Sequence, residues 1–342
     1  MKISRNWLQT YFDDKIPEAD KLAEIFTFHA FEVESQEKIE KNGEIVEDDV
    51  LDVKVLPDRA HYALSHNGIA LEVSANSGLK LKSRYHEAIN SNIDNKPNIV
   101  VSNAEFCRRY IARYIKLGNL PKESPIWLKN ALHSIGQRSI STIVDITNYV
   151  MYDIGQPLHA FDADKVVGGL TIRNANAGEK IILLDGRELE LTVEDSVIAD
   201  DQGPLVVAGA KGGKRAEIDE NTKNIIIESA NFHPTKVRRT STKYDIRSDS
   251  SKRFENEISP ELAIHGMDNV CKLISEIIPN SSFGPISDFY PKPVKKTALI
   301  FDTSYICQKL GVTIDETTIK VILQKLGFDI LPKNIGKVSL RR

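Results

Sequence analysis

Between residues 170 and 227 the chain breaks into short apolar runs, at 170–173, 180–184, 187–191, 197–199, 205–208 and 225–227, each closed by polar or glycine-bearing turns. Runs of this length are too brief for helices and match strands. The Asp185-Gly186 pair between two of them is the two-residue turn of a hairpin. This segment must therefore form a β-rich body whose apolar faces need cover. Helical patterns flank it. Ser124-Pro125 can open a helix running through Trp127, Leu128, Ala131 and Leu132 to Gly136, and Ser141 can cap a helix over 142–153 with an Ile143, Ile146, Val150 stripe and a stop at Gly155. Helical patterns resume at Pro234 and again from Pro260 through Val270 and Leu273. Strands and helices are segregated, which predicts an α+β fold.

A length of 342 residues predicts two or three domains. Residues 1–88 form a small α+β unit: Trp7, Leu8, Tyr11 and Phe12 fall at helical spacing, as do Leu22, Ile25, Phe26 and His29. A strand follows Ala30, then a charged turn over 37–49 around Asn42-Gly43, a strand over 50–55 broken at Pro57-Asp58-Arg59, and a helix over 68–75 closed by Gly78. A polar linker at 91–98 leads into a central unit, 98–290. A Pro-punctuated connector at 289–293 leads to 295–342, with a strand at 298–301, helices at 305–310 and 317–326, and a further strand opening at 338–340. That last unit reads as the incomplete start of a domain.

Composition excludes several classes. With 41% hydrophobic and 27% charged residues the chain is globular rather than disordered. Lys+Arg 45 against Asp+Glu 48 gives a net charge of −3, so an anionic partner must meet a local basic patch. Cys107, Cys271 and Cys307 lie far apart with no C-x-x-C pair, which predicts neither a disulfide scaffold nor a metal site and suits a reduced, cytoplasmic protein. Asn6, Gln9, Asp13 and Asp14 interrupt any apolar stretch near the N-terminus, so neither a signal peptide nor a membrane partner is expected.

Four features carry candidate chemistry. Thr147 shares a helix face with Ile143 and Val150, so its hydroxyl and the Asn148 amide can border a polar pocket; alternatively both bond back within the helix and His159 is a satisfied core imidazole. Gly209 to Gly213 lets backbone N–H groups approach a ligand, or forms a plain hairpin; no G-K-[ST] or G-x-G-x-x-G marks a nucleotide loop. Glu228 ends the apolar strand 225–227 and can accept a hydrogen bond from a ligand hydroxyl if it points into a cavity, or else is a solvated strand end. Between Lys236 and Arg253, Lys236, Arg238, Arg239, Lys243, Arg247, Lys252 and Arg253 face only Asp245 and Asp249, an excess that suits a phosphate backbone or a solvated helix face.

The ordered series Thr147-Asn148-Tyr149-Val150-Met151, Gly155-Gln156-Pro157-Leu158-His159-Ala160-Phe161-Asp162, Gly209 to Gly213, Glu228-Ser229-Ala230 and Ser251-Lys252-Arg253-Phe254-Glu255 resembles the β chain of bacterial-type phenylalanine–tRNA ligases over nearly the whole sequence. The resemblance implies that the central unit is an editing domain hydrolysing tyrosine wrongly attached to the phenylalanine tRNA. It implies that 1–88 is a structural domain and that 295–342 begins a winged-helix-like domain. An apolar synthetic pocket rejects an added hydroxyl only about a hundredfold, so a second site that welcomes the hydroxyl sorts the error.

By that resemblance Glu228 accepts the tyrosyl hydroxyl, Gly212 leaves room for the ring, and Thr147, Asn148 and His159 position the ester and the water. Pro157, Gly209, Gly213, Ser248 and Ser250 line the substrate, while Lys236, Arg238 and Arg239 contact RNA. The implied partners are the phenylalanine tRNA and an alpha subunit in an α2β2 assembly. ATP and magnesium are expected only for the complete ligase, with no cofactor in this stretch. Two departures stand out: residues 33–50 leave no room for the oligonucleotide-binding fold the family usually inserts there, and Ser248-Asp249-Ser250-Ser251 carries a hydroxyl at Ser250 where the family often has alanine. A non-catalytic scaffold for tRNA and the alpha subunit, and a free-standing nucleic-acid-binding unit, are the alternative expectations.

Overall fold

A computed structural model describes residues 1–295, 298–331 and 337–341. The N-terminal elements are β1 (Lys2–Ser4), α1 (Arg5–Gln9), α2 (Ala19–His29), β2 (Glu32–Ile39), β3 (Asp48–Lys54), α3 (Pro57–Ala63) and α4 (His66–Ser77). The strands form an antiparallel sheet in the order β1-β3-β2. The charged stretch expected as a turn is largely a hairpin: both strands reach further than their apolar residues do, because the ladder continues through Ile39↔Asp48 to a tip closed by an Asn42↔Ile45 bridge. Pro57 does more than end a strand. It sits in the first turn of α3, where its missing N–H is not needed.

The central elements are β4 (Ile99–Val101), β5 (Cys107–Lys116), α5 (Ile126–Ser134), α6 (Thr142–Ile154), β6 (Leu158–Asp162), β7 (Leu170–Asn174), β8 (Lys180–Ile182), β9 (Glu188–Glu190), β10 (Ser196–Asp200), β11 (Gly203–Val207), β12 (Lys211–Gly212), β13 (Asn224–Phe232), α7 (Pro234–Lys243), α8 (Asp249–Phe254), α9 (Leu262–Ile277) and β14 (Ser282–Phe289). An antiparallel sheet in the order β14-β5-β13-β6 faces a second sheet in the order β12-β11-β10-β7-β4, in which β4 and β7 run parallel. Alternation along β13 divides its residues between two cores. Ile225 and Ile227 join a core with α6 and α9, whereas Ile226, Ala230 and Phe232 pack with Tyr110, Phe161, Leu170, Ile172, Ile198 and Val206 between the sheets.

The first of these cores also takes in Trp7, Leu8, Tyr11, Leu22, Phe26, Val53, Ile69 and Val73, so the N-terminal elements and α6 share one interior. Asp153 near the end of α6 accepts hydrogen bonds from Trp7 Nε1 at 2.8 Å, from the Tyr11 hydroxyl and from Arg84. Trp7 is stacked between His66 and Tyr149. At the other end of α6 the expected caps work differently. Pro125 is the N-cap of α5 and the Ser141 side chain makes no cap bond. Asp145, fully buried, draws in the neighbouring donors instead, accepting from the Ser124 and Ser139 hydroxyls and from the Ile140 N–H. Gly155, at φ 89°, ends α6 in a left-handed turn that a β-carbon disfavours.

The remaining described elements are β15 (Ala298–Asp302), α10 (Thr303–Leu310), α11 (Glu316–Lys325), β16 (Asp329–Leu331) and β17 (Lys337–Arg341), with the strands in the order β15-β17-β16. Asp302 and Asp315 cap the two helices through their side chains. Of the unit expected at 295–342, residues 296–297, 332–336 and 342 lie outside the described residues. Among the described residues no helix is long and apolar enough to cross a membrane.

Candidate functional site

Glu228 is not at a strand end. β13 continues to Phe232 because Ser229, Ala230 and Asn231 keep pairing with Ile111, Tyr110 and Arg109 on β5, so Glu228 lies mid-strand, opposite Ala112 on one side and His159 on the other. The neighbouring Ser229 and Asn231 point to the helical side, where they donate to the carbonyls of Ala263 and Ile258. Glu228 consequently points between the sheets, 6% exposed, and its Oε2 has no hydrogen-bond partner. Burial raises its pKa to about 8, against a smaller lowering by the Tyr110 hydroxyl. At pH 7 the acid form outnumbers the carboxylate by about ten to one.

His159 shares that face as the direct register partner of Glu228. Its ring meets Phe161 edge-on at 4.6 Å and makes no hydrogen bond among the described residues, and burial lowers its pKa to about 4, so the imidazole is neutral at pH 7. A β-carbon on Gly212 would lie 2.9 Å from His159 Cε1 and 3.1 Å from Leu184 Cδ1. The space left by the glycine is therefore filled by the imidazole.

The Gly209 to Gly213 segment is the hairpin connection between β11 and β12, closed by the Ala210 N–H on the Val207 carbonyl. Gly209 has φ 73°, and a β-carbon there would lie 2.9 Å from Val237 and 3.0 Å from Phe232, while one on Gly213 would lie 2.7 Å from the Leu205 carbonyl oxygen. These two glycines serve close packing. The hairpin is tied to the start of α8 by the Ser248 hydroxyl, which donates to the Ala210 carbonyl at 2.9 Å while Ser248 also caps α8. Ser250, in the first turn of α8, reaches Met151 Sδ on α6 at 3.5 Å. Helix α6, the hairpin and α8 are thus linked around one side of His159.

Thr147 is buried, and its hydroxyl donates to the Val144 carbonyl at 2.8 Å, the back-bonded arrangement. The Asn148 amide is half-buried and unbonded among the described residues. Pro157 is buried at the entrance to β6, where the fully buried Gln156 amide donates to the carbonyls of Pro157 and Ala230 and so clamps β6 to β13. The sequence reading missed Gln156 and Tyr110. The first stood inside the quoted motif. The second was marked only by a Tyr110, Ala112, Tyr114 alternation among the arginines of β5.

The basic segment divides. Arg253 is buried and donates to the carbonyls of Leu64 and Asp249, and Lys243 pairs with Asp195 at 2.8 Å, so neither faces a partner as expected. Arg253 lies where α8 packs inward, and burial selects hydrogen-bonded or paired cations, whereas Lys243 is exposed and is held by its ion pair with the buried Asp195. Arg238 and Arg239 are exposed on α7 and form no ion pair among the described residues. Lys236 borders a cavity of about 490 Å³ together with Glu105, Arg108, His233 and Lys292. Among the described residues there is no group of three His, Cys, Asp or Glu side chains that could hold a metal ion.

Comparison with known proteins supplies the context. The model of the B3/4 domain matches residues 106–279. The chain is similar to the phenylalanine–tRNA ligase beta subunits of Carboxydothermus hydrogenoformans (39% identical over 86% of this chain and 37% of that protein) and Bdellovibrio bacteriovorus (38% identical over 84% and 35%). It therefore spans little more than a third of the length of these curated relatives. The crystal structure of an N-terminal fragment of the phenylalanyl-tRNA synthetase beta subunit from Pyrococcus horikoshii superimposes with a TM-score of 0.50 at 13% identity, covering 100% of this chain and 92% of that one. At that identity the likeness bears on the fold.

Proposed function

The chain belongs to the B3/4 domain family, and from that premise we propose that it is the N-terminal portion of a phenylalanine–tRNA ligase beta chain whose central unit, 98–290, hydrolyses tyrosine misattached to the phenylalanine tRNA. The observation that carries this reading is the buried, unpaired Glu228 carboxyl set beside a neutral His159 between the two sheets. An apolar recess with one unsatisfied acid discriminates for a hydroxyl, because a ligand lacking one leaves the acid unpaired.

Glu228 reads the phenolic hydroxyl. His159, neutral at working pH, holds the attacking water or the ester by hydrogen bonding, with the Asn148 amide from α6. The Thr147 hydroxyl can still accept a hydrogen bond while donating to Val144. Pro157, Gly209, Gly212, Gly213, Ser248 and Ser250 shape the walls by fixing the β6 entrance, the hairpin and α8. Arg238 and Arg239, with Lys236, meet tRNA phosphates. The alpha subunit, ATP and magnesium belong to the complete α2β2 ligase, where charging takes place. Residues 1–88 brace α6, and 295–342 open a winged-helix-like domain.

The test uses the assembled ligase containing this chain. Tyrosyl-tRNA of the phenylalanine acceptor is hydrolysed by the wild type, and Glu228→Ala abolishes the preference for the tyrosyl over the phenylalanyl ester. An assembled wild type that leaves the tyrosyl ester intact, while still binding tRNA, establishes instead a non-catalytic scaffold. The filling of the Gly212 space by His159 is the observation that favours this second reading.

A further inference from the structure

The face of β13 that carries Glu228 meets a neighbouring phenol on β5, and the two buried polar groups are incompletely hydrogen-bonded. Tyr110 Oη and Glu228 Oε2 are both buried and neither meets a partner in full hydrogen-bonding geometry, though the phenol lies close enough to the carboxyl to lower its pKa. The register sets them on a diagonal, with Ala230 opposite Tyr110 and Glu228 opposite Ala112, so their side chains rise from the same side of adjacent strands. Leaving a buried donor or acceptor without a partner forfeits its hydration with nothing in return, so most buried polar groups in folded interiors are hydrogen-bonded. A group that satisfies both must accept one hydrogen bond and donate one, which is the description of a hydroxyl. The surrounding side chains, Phe161, Ile226 and Ala230 with Leu170, Ile172 and Ile198 on the facing sheet, are apolar, so the hydroxyl should arrive on an apolar carrier such as an aromatic ring.

Resting on the editing reading above, we propose that Tyr110 is a specificity-determining residue: its phenol donates to the oxygen of the incoming tyrosyl hydroxyl while Glu228 accepts the hydrogen bond that this hydroxyl donates. The substrate's phenol is thus read at two points. A phenylalanyl ester leaves both protein atoms unpaired, and rejection is stronger than one acid alone achieves. The titratable groups that face Glu228 are Tyr110 and Cys107 on β5 and His159 on β6; on the second sheet Leu170, Ile172 and Ile198 pack opposite, and by alternation Ser196 and Asp200, the latter paired with Arg215, share the face of β10 with Ile198. Of these, the Tyr110 hydroxyl lowers the Glu228 pKa, so its removal moves the proton affinity of the acid upward.

The experiment compares Tyr110→Phe and Glu228→Gln in the assembled ligase, measuring kcat/KM for hydrolysis of tyrosyl- and phenylalanyl-tRNA across pH. Tyr110→Phe should lower the tyrosyl value roughly tenfold, the worth of one hydrogen bond in a dry site, leave the phenylalanyl value unchanged, and shift the pH midpoint upward. Melting temperature is followed in parallel, and non-hydrolysable amide-linked tyrosyl and phenylalanyl adenosines provide a binding readout independent of turnover. Equal effects on both esters, or an unaltered preference with an unmoved midpoint, overturn the assignment. If Glu228→Gln removes the preference while Tyr110→Phe keeps it, only the Tyr110 role fails; if both variants keep it, the two-point reading of the hydroxyl fails; and if the assembled wild type leaves the tyrosyl ester intact, the editing reading itself fails.

Discussion

Glu228 and His159 stand directly opposite each other on adjacent antiparallel strands, and burial pushes their pKa values in opposite directions, up to about 8 for the acid and down to about 4 for the imidazole. Each is neutral at pH 7, the acid in about ten molecules of eleven. The pair thus meets a ligand through hydrogen bonds rather than through an ion pair.

The linkage signs differ for the two groups. Glu228 holds its proton in the fold to about pH 8 but loses it near 4.5 when unfolded, so its contribution is fully present below pH 4.5 and is lost as pH rises toward 8. His159 and the buried His66, also lowered to about 4, contribute fully above 6.5 and lose stability as pH falls toward 4. Glu228→Gln should therefore be more stable than wild type at pH 8 by on the order of 4 kcal/mol, with the advantage shrinking to near zero at pH 4.5. Urea unfolding across this range checks the prediction, and a pH-independent difference contradicts it.

Gly212→Ala places a methyl 2.9 Å from His159 Cε1 and 3.1 Å from Leu184 Cδ1. The imidazole must turn away, at a cost of roughly 1–3 kcal/mol of overpacking. The expected outcome is a loss of tyrosyl-ester hydrolysis out of proportion to the small drop in melting temperature. Gly209→Ala should be the reverse, mainly destabilising, because its β-carbon meets Val237 and Phe232 in the core and its φ is 73°.

Exposed and buried arginines of the basic segment should separate cleanly. Arg238→Glu with Arg239→Glu should weaken tRNA binding and reduce the steepness of its salt dependence by about two, leaving the folding stability within about 0.5 kcal/mol of wild type. Arg253→Met should instead lower stability by about 2 kcal/mol or more, since it orphans the Leu64 and Asp249 carbonyls, with no change in the salt slope. Filter binding at several salt concentrations, paired with thermal unfolding, distinguishes the two.

Asp153→Ala removes the common acceptor of Trp7, Tyr11 and the Arg84 guanidinium. Breaking a buried charge network of this kind should cost about 3–5 kcal/mol. Arg84→Met alongside Asp153→Ala should recover part of that loss in a double-mutant cycle.

Legibility in the sequence followed the chemistry of each element. Helix α6 was readable because Ile143, Ile146 and Val150 recur at helical spacing and Gly155 marks its end. Strand β5, the partner of both β13 and β14, was not, because Arg108, Arg109 and Arg113 interrupt its apolar run. Two of those arginines are buried by partners distant in sequence: Arg109 pairs with Asp288, and Arg113 donates to the carbonyls of Gly284 and Ile89. Strand β14 was hidden by Gly284-Pro285, where its register slips between Phe283 and Ile286. The sequence places Glu228 at a strand end whereas it lies mid-strand, because Ser229 and Asn231 are polar only to reach carbonyls on the helical side.

Helix α6 is pinned twice, by Asp145 at its first turns and by Asp153 at its last. A rod fastened at both ends can neither slide nor pivot, so Asn148 at its midpoint keeps its position against β6 only while both fastenings hold. One of them is a tryptophan in the first dozen residues, 146 positions from its acceptor. On the proposed editing role, a genetic screen for failed proofreading would accordingly recover lesions at Trp7 and Tyr11 that mimic damage to the proposed site itself.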